Sequence, residues 1–142
     1  MYSVFLQSHS YLRYFILIML IAVIFKSLMG WLGNKSYSNV DNKLSLYLLI
    51  FTHLQLVAGL ILYFISPAVK FGSDTMANAV FRYWTVEHAF AMIIAIVLIT
   101  FARVSSKKMT VDKAKFKRLV IFNSMALIII LATISMSGRP IL

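Results

Sequence analysis

The chain has no cysteine. That absence excludes a disulfide, a thiolate-held iron–sulfur cluster and C-x-x-C-H attachment of a c-type haem. Charge is scarce as well: Asp, Glu, Lys and Arg make up 13% of the 142 residues, where a soluble domain carries roughly 25%. Hydrophobic residues make up 61% and the mean hydropathy is +0.88. This apolar content is gathered into four long runs, the pattern of an integral membrane protein. Four spans with short connections leave no room for a soluble domain, so residues 1–142 form one unit. The formal charge is +10, but the basic residues stand mostly at the ends of the runs. There they mark topology rather than a nucleic-acid footprint.

The first span is expected over about residues 11–32, interrupted only by Arg13 near its start and Lys26 near its end. Both charges are close enough to a surface to snorkel. The first fourteen residues lack a basic n-region and no A-x-A site follows, so the span is expected to be retained. Gly33-Asn34-Lys35-Ser36 supplies turn chemistry, and Asn39-Val40-Asp41-Asn42 offers N-caps for a second span over about 44–65. Ser66-Pro67 ends that span. Phe71-Gly72-Ser73-Asp74 is a loop able to cap a lead-in from Thr75 to Tyr83, followed by a third span over about 84–102. The fourth span covers about 119–135, with Asn123, Ala126, Ile130, Thr133 and Ser137 on its packing face. The expected fold is an all-α, antiparallel four-helix bundle in the membrane.

Segment 103–118 holds seven of the fourteen basic residues and one acid, Asp112. The side with the first and third connections carries ten basic residues, the other side four: Arg13, Lys70, Arg82 and Arg139. The positive-inside rule then puts both termini on the outer face, the periplasmic face of a bacterial inner membrane.

That topology gathers the polar residues. His9, Arg13, Arg82, Glu87, His88 and Arg139 all fall in the outer half of the bundle. Ionisable groups within a membrane are costly to hold, and a functional site is their default reading. Phe81-Arg82-Tyr83-Trp84-Thr85-Val86-Glu87-His88 concentrates several of them at the head of the third span. His9 and Arg13, four apart, share a helical face. Glu87 and His88 point about 100° apart and serve different partners. Ala91 and Ala95 follow His88 as a small-residue stripe open to a close helix or a flat ligand. Non-covalently held haem b suits these pieces: neutral imidazole is an axial ligand for haem iron, and Arg13, Arg82 or Arg139 suits a propionate. Counted from the expected span ends, His88 lies roughly 8–12 Å deep, His53 roughly 18 Å and His9 near the surface. His53 with His88 is the preferred axial pair and His9 the alternative.

Three segments carry a resemblance: His9-Ser10-Tyr11-Leu12-Arg13-Tyr14, His53-Leu54-Gln55-Leu56 with Gly59, and Trp84-Thr85-Val86-Glu87-His88. Together they resemble a family of small four-span bacterial membrane proteins described as cytochrome b-like, over almost the whole chain. The resemblance implies a b-type haem and a redox setting, in which a quinone or a larger respiratory assembly would be the partner. It marks His9, Arg13, His53, Glu87 and His88 and leaves the ligand assignment open. Two other readings stand beside it. His9, His88 and Glu87 at the outer face would suit zinc, iron or copper, although no H-E-x-x-H spacing supports them. Alternatively, the polar cluster is the contact of an accessory subunit in a larger membrane complex. No nucleophile–base pair or phosphate loop is present, which disfavours an independent hydrolase or kinase.

Overall fold

The computed structural model describes residues 2–67, 69, 71–72 and 75–136. Almost all of them lie in four long helices: α1, Tyr2–Leu32; α2, Asn39–Ile65; α3, Ala79–Lys108; and α4, Asp112–Met136. Among the described residues there is no strand. At ~1.5 Å per residue the helices run from about 37 to about 46 Å, against a hydrocarbon core of about 30 Å. All four are long and apolar enough to cross a membrane.

Every helix outruns its apolar stretch. α1 begins at Tyr2 rather than near Tyr11, and α4 at Asp112 rather than near Leu119. Hydropathy falls at the first polar residues, but the helix does not, because helix growth is cooperative and no proline or glycine interrupts the leading segments. For α1 this has a consequence at His9. It lies roughly 10 Å down the helix, inside the bundle rather than at its mouth.

Local chemistry sets the helix ends. At the end of α1, Gly33 N–H bonds to Met29 O at 2.9 Å, and Asn34 takes a left-handed φ of 51°, which asparagine tolerates well. The N-cap of α2 is Ser38, one residue before the expected candidates. Its hydroxyl accepts from Asp41 N–H, and the Asp41 carboxylate accepts from Ser38 N–H at 2.8 Å, a complete capping box. Ser66 closes α2 in an extended conformation, as the following proline requires. Asn78 caps α3 by accepting from Val80 and Phe81 N–H. Ser73 and Asp74, expected as the cap, lie outside the described residues, as do Lys70, Ser137 and Arg139.

The core is formed by Ile16, Leu17, Leu20 and Val23 of α1, Leu48 of α2, Ala95 and Ile99 of α3, and Ala126, Ile130 and Ile134 of α4. Asn123, Ala126, Ile130 and Thr133 are all buried, so the described part of the expected α4 face does pack inward. α3 packs most extensively on α4, α1 lies between α4 and α2, and α2 meets α3 only sparsely. Gly30 leaves room for the Phe116 ring of α4: a methyl group there would stand 2.6 Å from it.

The end of the bundle holding the α1–α2 and α3–α4 connections is cross-linked by polar bonds. Lys26 Nζ meets Asp41 at 2.6 Å. Arg103, counted above only as a topological charge, is buried and donates to Asn42 O at 2.9 Å and Ser45 Oγ at 2.6 Å. It ties α3 to α2 where apolar packing between them is sparse. Tyr37, in the α1–α2 connection, stacks near Phe116, and burial pushes its phenol above the usual tyrosine value.

Candidate functional site

Near the far end of the bundle, away from the Arg103 cross-link, side chains of all four helices enclose a cavity of about 190 Å³. His9 and Arg13 enter from α1; Thr52, Gln55 and Gly59 from α2; Tyr83, Trp84, His88 and Met92 from α3; Ile130 and Ile134 from α4. The spacings 9/13, 52/55/59 and 88/92 are those of single helical faces.

The head of α3 is not regular. Tyr83–Glu87 winds as a π-helix, and His88 N–H bonds back five residues to Tyr83 O. Such insertions are frequent at functional sites because they re-aim the side chains around them. Here the wider turn puts Arg82 and Glu87, five apart, side by side: Arg82 Nε donates to Glu87 Oε1 at 2.8 Å, and Arg82 Nη1 to Met76 O at 3.1 Å. Neither residue lines the cavity. His88 does line it, framed by the rings of Trp84 at 5.1 Å and Tyr83 at 5.8 Å. The Tyr83 hydroxyl is fixed by Thr133 O at 2.7 Å, anchoring this frame to α4.

His9 and His88 meet edge-on, their ring centroids 6.3 Å apart and their planes at 65°. The His9 backbone is held by α2, since Gln55 Nε2 donates to His9 O at 2.8 Å. Its ring lies against Gly59, where a Cβ would stand 3.3 Å from His9 Cε1. A larger residue at 59 would displace the imidazole. Two buried polar atoms at the cavity, Arg13 Nε and Gln55 Oε1, have no hydrogen-bond partner among the described residues. In a low-dielectric site such orphans cost free energy unless a ligand or water meets them. The Arg13 guanidinium also lies 4.6 Å from the Tyr14 ring, the sort of cation–π contact that steadies its side chain.

His53 stands elsewhere. It is exposed on α2, beside the inward-facing Thr52, and its Nδ1 bonds to Leu49 O of its own helix at 2.8 Å. The structure therefore brings His88 together with His9 and Arg13, and not with His53. The case for His53 is that a mid-membrane imidazole needs a partner more than an interfacial one; His53 finds one in Leu49 O, and the early start of α1 takes His9 away from the interface. With α1 beginning at Tyr2 and α3 at Ala79, His9 and His88 lie roughly 10 and 14 Å from their helix starts. Arg139 lies outside the described residues.

No family model, curated protein or solved structure matches this chain.

Three ligands or more are the rule for a protein-held metal ion. Among the described residues no group of three His, Cys, Asp or Glu is placed to hold one, and Glu87 is engaged by Arg82. The site is instead a pair of imidazoles. An imidazole nitrogen lies ~1.1 Å from its ring centroid and a metal–imidazole bond is ~2 Å, so two imidazoles on opposite sides of one metal have centroids ~6 Å apart. The 6.3 Å between the His9 and His88 centroids is of that length, with the ring planes at 65°; the remaining positions on such a metal would come from a planar macrocycle. A cationic orphan beside the pair suits a carboxylate on that macrocycle. The cavity is smaller than the roughly 300 Å³ at which ligand pockets begin, so a macrocycle would have to spread the α2–α3 seam. Contacts across that seam are sparse.

Proposed function

We propose that the chain is a membrane-bound b-type cytochrome, in which His9 and His88 would hold the iron of one non-covalent haem b and one-electron transfer is the role. The observation that carries this reading is the meeting of His9 and His88 at 6.3 Å on one cavity inside the bundle. The resemblance to the cytochrome b-like proteins supports it through His9, Arg13 and His88, three of the five residues it marks; His53 and Glu87 stand outside the cavity. When bound, haem b supplies a reversible one-electron couple whose potential the surrounding residues tune.

The chain's own residues have definable tasks. His9 is positioned by Gln55 through its backbone and by Gly59 through its ring; His88 is positioned by the π turn and the Tyr83–Trp84 frame. Arg13 offers Nε–H to a propionate and places positive charge beside the site, favouring electron uptake. Ile130, Ile134, Met92 and Ala95 keep water out. A Met92 thioether one turn from His88 packs against the core rather than completing the pair.

In this reading the helices are antiparallel, with both termini and the site on the outer side of a bacterial inner membrane. The basic α3–α4 connection then lies at the cytoplasmic surface. Electrons pass to or from a quinone or a respiratory assembly in the same membrane. A detergent-purified sample from haem-supplied cells should be red, with a Soret band that sharpens and shifts on dithionite reduction. A colourless preparation that takes up no added haem would end the cytochrome reading.

A further inference from the structure

A second cavity lies on the outside of the α2–α3 seam, a groove of about 480 Å³. Its walls are apolar, with Leu56, Ile93, Ile96, Val97 and Phe101 prominent; its polar members are His53 and Thr100, whose hydroxyl already donates to Ile96 O at 2.8 Å. Leu56, Ile93 and Ile96 also wall the cavity between His9 and His88, so a single layer of side chains separates the two. His53 lies roughly 20 Å from either end of α2, at mid-membrane and facing outward. An imidazole in that position is expensive unless something meets it.

Its hydrogen bonding defines what can meet it. The partner of Nδ1 is the Leu49 carbonyl, which only accepts, so Nδ1 carries the proton and donates. In the neutral ring Nε2 is then an acceptor, and among the described residues nothing donates to it. A fitting ligand is lipid-soluble, flat enough for a seam between two helices, and brings a hydroxyl proton. A quinone offers only carbonyl acceptors and an acyl chain offers no donor; a quinol has both the flat ring and the donor.

We propose that the α2–α3 groove binds a quinol, its ring hydroxyl donating to His53 Nε2 and its ring lying over Leu56 and Ile93. As a binding site this stands apart from the haem reading; as the source of electrons for His9 and His88 it rests on that reading.

The test is equilibrium binding of decylubiquinol to the detergent-purified chain under nitrogen, with decylubiquinone and 1-dodecanol as competitors. Wild type and His53→Gln, which keeps an acceptor, should bind quinol saturably. His53→Phe should bind about tenfold more weakly, the scale of one hydrogen bond, and Val97→Trp, filling the groove from its lipid side, should abolish binding. His53 and Val97 are exposed, so neither change disturbs the core, and far-ultraviolet circular dichroism confirms folding. Equal affinity of His53→Phe and wild type overturns the proposal, and so does competition by the quinone or the alcohol as strong as by the quinol itself. An optical spectrum of each sample separates the two readings. His53-dependent quinol binding without haem absorbance keeps the site and removes the electron transfer; a haem spectrum with His53-independent binding does the reverse.

Discussion

Enlarging Gly59 should push His9 out of line in a graded way. A methyl group at this position would stand 3.3 Å from His9 Cε1 and 3.9 Å from Nδ1. The first distance is a few tenths of an ångström too short for comfort, so in Gly59→Ala the ring shifts slightly. The helix itself gains, since alanine is favoured over glycine by about 1 kcal/mol in a helix interior. Gly59→Ala should therefore be as stable as wild type, with a small change in the reduced spectrum. Gly59→Val adds two γ-carbons ~1.5 Å farther out on a side chain with essentially one helical rotamer. The imidazole must then move by about 1 Å, at an overpacking cost of about 1–3 kcal/mol. Disturbing the surroundings of a metal ligand typically costs 10–100-fold in affinity, and haem affinity should fall over that range. The assay is haem titration of the apoprotein by Soret absorbance, with thermal unfolding alongside. A Gly59→Val chain that bound haem as tightly as wild type, with the same reduced bands, would show that the His9 ring is not a ligand.

Three further outcomes follow from individual contacts. Arg13→Gln should leave haem occupancy largely intact but lower the midpoint potential by about 50 mV; an unchanged potential in a redox titration removes Arg13 from the electrostatics of the site. Glu87→Gln, which breaks a half-exposed pair outside the cavity, should leave the spectrum unaltered and cost at most about 1 kcal/mol; loss of the Soret band would restore Glu87 to the site. Burial raises the Tyr37 phenol, so the folded chain holds that proton at a pH where the unfolded chain releases it. The corresponding stability is intact below about pH 10, the unfolded value, and is lost as pH rises toward the raised folded value. Tyr37→Phe should flatten this part of the curve in denaturant unfolding, and a slope identical to wild type would contradict the assignment.

The spans were legible because some twenty consecutive apolar residues have few alternatives to crossing a membrane. The inward face of α4 was legible from the helical spacing of Asn123, Ala126, Ile130 and Thr133. So was the separation of tasks between Glu87 and His88, which follows from the rotation per residue. The identity of the imidazole pair was not. It depended on where α1 starts, and Ser8-His9-Ser10 looks like a surface segment although it continues the helix. The rotation of α2 was also hidden: only once Thr52, Gln55 and Gly59 are seen to face inward does His53 fall outside. The π turn at Tyr83–Glu87 has no composition signal, yet it sets the aim of His88 and pairs Arg82 with Glu87. Arg103 counts only as a topological charge in the sequence, because a buried guanidinium bonded to a backbone carbonyl and a serine is indistinguishable there from a snorkelling one.

The most direct measurement is the reduced optical spectrum of the purified chain compared across three single substitutions, His9→Ala, His88→Ala and His53→Ala. Haem b held between His9 and His88 predicts sharp α and β bands in wild type and in His53→Ala, and their loss in both other variants. Bands that survive in His9→Ala and vanish in His53→Ala would contradict it.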